Sequence, residues 1–209
     1  MNFYSVEKWI DWVDQLSLND YVVIDNFLSP ELYQAVRGFL LQKLEVDEFK
    51  RAGLGSAFNN QKDTSIRGDF TYWLDKDRDT LLTPAFDLIE EIKFALNRYC
   101  FLSLTGYEFH LACYPAGTFY KRHVDQFQDR SNRMISVIIY LNEGWKQGDG
   151  GELKIYKEDE ELLIDPIAGR CVMFKSADVP HEVMKTNVGR YSLTGWMLYQ
   201  PSGVGYILG

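Results

Sequence analysis

The sequence predicts an α+β fold, mainly β, in which supporting helices lie against one outer face of a β-sandwich, barrel or jelly roll. Three observations predict it. Apolar residues recur at helical spacing in three early segments, and two of these open on Ser-Pro or Thr-Pro. From Gly106 onward the period shortens to that of strands, with turns rich in Gly, Pro, Asn and Asp between them. Across 209 residues, 46% hydrophobic, 15% aromatic and 25% charged content is that of a chain able to bury a core, not of a disordered one.

Taken in order, Val6, Trp9, Ile10, Val13 and Leu16 share one face of a helix over 5–16. The β-branched and aromatic run Tyr21 to Phe27 reads as a strand that stops at Ser29-Pro30. Ser29 suits an N-cap and Pro30 the first helical position, which starts a second helix over 30–44 with Leu32, Val36, Phe39 and Leu40 inward. Thr83-Pro84 repeats that signal, and Ala85, Leu88, Ile89, Ile92, Leu96 and Tyr99 mark a third helix. Strands are then predicted near 107–114, 119–124, 134–142, 152–156, 161–165, 171–175, 180–185 and 190–200. No repeat or flexible linker divides the chain, so 1–209 reads as one domain, with helical support over about 1–105 and a β core over about 106–200. The acidic run Glu158-Asp159-Glu160-Glu161 reads as a solvated hairpin turn.

A net charge of −8 disfavours nucleic-acid partners, because phosphate binding needs clustered Lys and Arg. The longest apolar stretch, Met134 to Leu141, is broken by Ser136 and is far short of the roughly 20 residues of a membrane span. The opening residues lack a basic region followed by an apolar one, so a cytoplasmic protein is expected. Cys100, Cys113 and Cys171 are odd in number, with no Cys-x-x-Cys pair for zinc or redox exchange.

The chain holds three histidines. His123 and Asp125, two apart at a strand end, point to one face. His181 follows in a later strand, and together they form the two-His, one-carboxylate set that suits non-haem Fe(II). Beyond the turn Asn187-Val188-Gly189 stands Arg190, whose guanidinium suits bidentate pairing with a carboxylate. His110, sharing a face with Tyr114, reads as a hydrogen-bonded strand histidine.

The motifs Ala112-Cys113-Tyr114-Pro115, Tyr120-Lys121-Arg122-His123-Val124-Asp125, Ile139-Tyr140-Leu141-Asn142, Gly150-Gly151-Glu152-Leu153, Pro180-His181-Glu182-Val183 and Arg190-Tyr191 resemble the 2-oxoglutarate- and Fe(II)-dependent prolyl hydroxylases. Within that superfamily the chain looks most like the hypoxia-inducible-factor prolyl hydroxylase branch and its bacterial relatives, from about Asp20 to Tyr199. The resemblance implies a double-stranded β-helix, or distorted jelly roll, using Fe(II) with 2-oxoglutarate and O₂ as cosubstrates, and admits ascorbate as a further ligand. It implies that His123, Asp125 and His181 bind the iron. Arg190 and Tyr140 would hold the distal carboxylate of 2-oxoglutarate, with Tyr114 donating near its iron-bound end. Ile66-Arg67-Gly68-Asp69 before Trp73 resembles the mobile loop that covers substrate, which makes Arg67 and Asp69 candidate substrate-binding residues. Arg133 resembles a family arginine at the peptide entrance, and Trp196 a family tryptophan near the pocket.

The activity so implied is hydroxylation of a prolyl residue in a protein or peptide, with 2-oxoglutarate decarboxylated to succinate. Two other readings stay open: a small-molecule hydroxylase of the same superfamily, and a non-enzymatic 2-oxoglutarate- or metal-binding sensor module. Nucleic-acid demethylases that share the triad usually carry a second arginine where Trp196 stands, and related halogenases lack the carboxylate that Asp125 supplies.

Overall fold

A computed structural model of the chain describes residues 2–53, 63, 65–126, 132–158 and 160–199. Residue 159 of the acidic run and residue 200 of the last predicted strand lie outside them.

Helix α1 (Val6–Asn19) begins where the extended Ser5 accepts a hydrogen bond from the Lys8 amide, and it ends as Asp20 turns into the left-handed region at φ +67°. It buries Trp9, Val13 and Leu16. Strand β1 (Tyr21–Ile24) follows, and α2 (Pro30–Glu45) starts as predicted, with Ser29 Oγ accepting from the Leu32 amide at 3.2 Å. Helix α3 (Thr83–Cys100) departs from expectation at its start. A 3₁₀ turn over Thr80–Leu82 runs straight into it, and Thr83 Oγ1 donates back to the Thr80 carbonyl instead of capping. Glu91 of α3 ties down the entry to α1, accepting from the Phe3 and Tyr4 amides and from Trp9 Nε1.

The predicted helical half also carries two strands the periodicity missed, β2 (Lys50–Arg51) and β3 (Phe70–Trp73). Beyond them run β4 (Gly106–Tyr114), β5 (Tyr120–His123), β6 (Arg133–Tyr140), β7 (Leu153–Tyr156), β8 (Glu161–Ile164), β9 (Cys171–Lys175), β10 (His181–Val183) and β11 (Arg190–Leu198). Among the described residues they form two antiparallel sheets, ordered β1-β9-β6-β11-β4-β3-β2 and β5-β10-β7-β8. No described helix is long and apolar enough to cross a membrane.

Because side chains alternate along a strand, the larger sheet has two different faces. Phe109, Leu111 and Cys113 of β4, Ile135, Val137 and Ile139 of β6, and Leu193 and Met197 of β11 join one buried cluster with the apolar faces of the three helices. On the opposite face, Ile138 and Tyr140 of β6 and Val172 and Phe174 of β9 pack against Leu153 and Ile155 of the smaller sheet. The same face of β4 and β11 turns polar toward one end, where the two sheets leave a cavity.

Gly195, central in β11 between Phe109 of β4 and Val137 of β6, permits this close pairing. A Cβ there would run into the Phe109 ring and the backbone carbonyl of Glu108. Gly195→Ala is therefore expected to destabilise the fold by about 1–3 kcal/mol, the usual cost of overpacking. Urea denaturation against the parent protein measures the loss.

Candidate active site

The cavity measures about 340 Å³ and is walled by β3, β4 and β11 on one side and by β5, β7 and β10 on the other. Antiparallel pairing of β10 with β5 sets His181 directly opposite His123, and Asp125 lies just past the end of β5. One ligand atom from each of the three falls within 4.8 Å of the others. Oδ1 of Asp125 is 3.5 Å from His123 Nε2, and Oδ2 is 3.7 Å from His181 Nε2.

Both imidazoles are pinned from behind. His123 Nδ1 contacts the Lys121 carbonyl at 2.7 Å and His181 Nδ1 the Val179 carbonyl at 3.0 Å. A carbonyl only accepts, so each Nδ1 must carry the proton, leaving each Nε2 lone pair toward Asp125. Burial lowers the His181 pKa to about 4 against the opposing pull of Asp125, so the ring is neutral near pH 7. Burial opposes ionisation of Asp125 too, but the charge that His181 and His123 carry when protonated, together with the Ser136 hydroxyl, outweighs it and holds the carboxyl well below its usual range. Ser136 Oγ donates to Asp125 Oδ2 at 2.7 Å and meets Ser176 Oγ at 2.8 Å. Two imidazole nitrogens and one carboxylate, oriented before any ion arrives, fit a divalent metal with nitrogen and oxygen preference such as Fe(II).

Across the cavity stands Arg190, 2% exposed. Its Nε donates to the Gly151 carbonyl at 2.7 Å, while its Nη2 has no partner among the described residues. Gly151 sits at φ +78°, and a Cβ there would press on Arg190 Cδ at 2.9 Å, so glycine is needed both for the backbone turn and for the guanidinium's path. The Arg190 guanidinium lies 5.2 Å from the Tyr140 ring centre and 5.0 Å from that of Tyr114. Burial raises the Tyr140 phenol to about 12 against the opposing Arg190 cation, so it remains a donor, and its Oη is also unpartnered. Burial pushes the Tyr114 phenol up as well. The other two cavity arginines have counter-ions: Arg67 pairs with Asp69 and Arg133 with Glu108, both at 2.5 Å. Among the described residues Arg190 makes no ion pair, and two adjacent buried donors without acceptors fit the carboxylate of a dicarboxylic ligand.

Of the expected substrate-side residues, Arg67, Arg133 and Trp196 line the cavity and Asp69 does not. Asp69 is fully buried and its two oxygens are taken by Arg67 Nε and Nη2, so it anchors its arginine and does not face the cavity. The Arg67 guanidinium stacks 4.3 Å over the Tyr120 ring and lines the cavity. The Gly68 amide donates to the Phe119 carbonyl, and a Cβ there would meet Thr118 Cβ at 2.7 Å. Arg133 is buried, 3.4 Å over the Trp196 ring, with Nη1 donating to the Asp125 carbonyl at 3.4 Å. Trp196 lines the cavity with its Nε1 buried and unpartnered. His110 also lines it, and its Nδ1 has no hydrogen bond, contrary to the expectation for a strand histidine.

Several cavity residues were not singled out from sequence. Glu108, Ala112, Ser192 and Thr194 line it because Glu108, His110, Ala112 and Tyr114 alternate along β4, as do Arg190, Ser192, Thr194 and Trp196 along β11. Counting by twos from Tyr114 and Arg190 finds them. Ser136 and Ser176 carry no such signal, since their roles depend on the pairing of β6 with β9.

A family model for the 2OG-Fe(II) oxygenase superfamily matches residues 109–198, the span that holds the triad and Arg190. The chain is similar to the crystal structure of a Pseudomonas putida prolyl-4-hydroxylase, with 34% identity over 92% of this chain and 99% of that one, at a TM-score of 0.84. It is also similar to a Trichoplax adhaerens prolyl hydroxylase in complex with a hypoxia-inducible factor oxygen degradation domain peptide fragment, with 28% identity over 95% and 94% of the two chains and a TM-score of 0.84. A Phytophthora capsici prolyl 4-hydroxylase shares the fold at a TM-score of 0.71, with 24% identity over 95% of this chain and 68% of that one.

Ser136→Ala removes the donor that orients Asp125 while leaving all three ligand side chains in place. Loss of such a supporting contact is expected to weaken Mn(II) or Co(II) binding by roughly 10–100-fold. Calorimetric titration of the metal-free protein reads that loss, and an affinity within twofold of the parent would show that Ser136 does not orient the carboxylate.

Proposed function

The chain belongs to the 2OG-Fe(II) oxygenase superfamily, and on that footing we propose that it hydroxylates a prolyl residue in a protein or peptide substrate. The observation that carries the cosubstrate half of this reading is that Arg190, buried and without an ion pair among the described residues, lines one cavity with the His123, Asp125 and His181 triad and lies beside the unpartnered Tyr140 hydroxyl. The substrate half is supported by the two relatives of highest similarity described above, both prolyl hydroxylases, one of them holding a peptide.

In this reading His123 and His181 offer Nε2 and Asp125 a carboxylate oxygen to Fe(II), leaving the ion's remaining positions to cosubstrates. Bound iron with 2-oxoglutarate and O₂ supplies the oxidising chemistry, in which one oxygen atom enters a substrate C–H bond and the other enters succinate as CO₂ is released. Arg190 and Tyr140 bind the distal carboxylate of 2-oxoglutarate, the fixed cation selecting a dicarboxylate over shorter ketoacids. Tyr114 flanks Arg190 and, in this reading, donates its hydroxyl near the iron-bound end of 2-oxoglutarate. Arg67, Arg133 and Trp196 form the substrate side, with Arg67 held in place by Asp69 and Arg133 by Glu108. The three cysteines, all free, suit a reducing compartment, and the proposal places the enzyme in the cytoplasm with ascorbate as an accessory reductant.

The test is coupling. With Fe(II), 2-oxoglutarate and O₂, a panel of proline-bearing peptides should include members that gain the mass of one oxygen on proline as an equal amount of succinate forms. Oxygen gain on small molecules alone would favour the small-molecule hydroxylase, and ligand binding without turnover would favour the sensor module.

Arg190→Met keeps the bulk of the side chain and removes the charge. Losing a charge-assisted pair of about 1.5–3 kcal/mol should weaken 2-oxoglutarate binding to the Mn(II)-loaded protein by roughly 10–150-fold. The unliganded variant should be at least as stable as the parent, because a buried cation without a counter-ion is costly. Thermal melts with and without 2-oxoglutarate read both effects.

A further inference from the structure

His110 is 3% exposed, lies mid-strand in β4 and lines the cavity, yet its Nδ1 has no hydrogen-bond partner among the described residues. A buried polar atom left unsatisfied is costly, and nothing in the triad or the cosubstrate end uses this one. The ring packs against two indoles that also meet each other, 6.2 Å centre to centre. Trp73 of β3, its register neighbour, is 4.8 Å away centre to centre, and Trp196 of β11 is 5.5 Å away. Trp196 Nε1 is a second buried donor without a partner. Trp73 is 46% exposed, a large apolar surface at the edge of the cavity where β3 lines it.

The charged groups around His110 are already engaged. Arg67 and Asp69 satisfy each other, Arg133 is held by Glu108, and Asp125 faces the two ligand histidines. Burial keeps the imidazole neutral, lowering its pKa to about 3, so it acts as a hydrogen-bonding ring and not as a cation. This wall therefore offers flat aromatic faces together with two unsatisfied ring nitrogens, one of them, the Trp196 indole, a donor only.

We propose that His110 is a specificity-determining residue, donating from Nδ1 to a backbone carbonyl of a polyproline-II segment that packs its proline rings on Trp73 and Trp196. A polyproline-II backbone makes no internal hydrogen bonds, so its carbonyls are free acceptors, and proline-bearing segments dock on aromatic-lined surfaces. The inference rests on the proposed peptide substrate and names the conformation and the main-chain group that the wall selects. Trp196 Nε1 donates to a second carbonyl of the same segment. His110 touches neither the metal ligands nor the carboxylate pocket, so its effect belongs to peptide alone.

The test compares His110→Phe, which keeps a ring against the two indoles but removes both nitrogens, with His110→Asn, whose amide restores a donor near the Nδ1 position. The probe is a blocked proline-bearing peptide that the parent enzyme hydroxylates. His110→Phe should raise the peptide KM by about tenfold, the loss of one buried hydrogen bond, with peptide-free 2-oxoglutarate turnover and the 2-oxoglutarate KM within about twofold of the parent. His110→Asn should recover most of that affinity. Replacing the recognised peptide carbonyl by a thiocarbonyl, a weaker acceptor, should cost the parent enzyme but not His110→Phe. An unchanged peptide KM in His110→Phe overturns the proposal, as does a parallel loss of peptide-free turnover, which would make His110 a support of the metal centre. If the parent enzyme hydroxylates no peptide, the proposed function itself falls and this inference with it. Loss in His110→Phe unrelieved in His110→Asn and equal for every thiocarbonyl position shows a packing role and overturns it too.

Discussion

A buried guanidinium with no counter-ion among the described residues is the constraint on which the site depends. Arg190 opens β11, opposite Tyr114 of β4, and the register of β11 with β6 sets Ser192 across from Tyr140. That pairing brings the Arg190 side chain alongside two phenols, and the turn at Gly151 supplies one carbonyl to hold it without neutralising it. Isolated buried charges are strongly disfavoured, so a carboxylate arriving here would supply the partner that Arg190 lacks among the described residues. The other cavity cations carry their own counter-ions, which leaves Arg190 as the place where an incoming anion gains most.

The rest of the architecture allows the larger sheet to carry this polar end. One face of β4, β6, β9 and β11 merges with three amphipathic helices in a continuous apolar cluster, and that burial stabilises strands whose other face turns polar. The smaller sheet then fixes the metal corner. Pairing of β10 with β5 places two histidines opposite each other, backbone carbonyls set their tautomers, and Ser136 and Ser176 reach Asp125 from the larger sheet. The triad thus reports the mutual placement of the two sheets as well as its own strands.

The three helices were legible in sequence because their apolar periodicity is long and two open on a serine that accepts a capping bond. The strands from Gly106 onward were legible from turn residues and alternation. Lys50–Arg51 is too short to show a period, and Phe70–Trp73 buries its middle pair in succession, so neither announced itself as a strand. The grouping of His123, Asp125, His181 and Arg190 about one cavity was legible from residue type and motif. The substrate side did not, because its outcome rests on pairings remote in sequence. Arg133 meets Glu108 across β11, and Asp69 is claimed by an arginine only two residues away once that segment docks on β5. A motif names such residues, but only the assembled sheets show which oxygens and nitrogens are still free.

The central claim is that one cavity holds a metal at the triad and a dicarboxylate at Arg190. A crystal structure of the protein grown with Mn(II) and 2-oxoglutarate tests it most directly. The account predicts the metal on Nε2 of His123, Nε2 of His181 and the Asp125 carboxylate, with the ligand's distal carboxylate hydrogen-bonded to Arg190 Nη2 and Tyr140 Oη. A metal bound away from these three side chains, or a 2-oxoglutarate whose distal carboxylate leaves Arg190 unpaired, would contradict it.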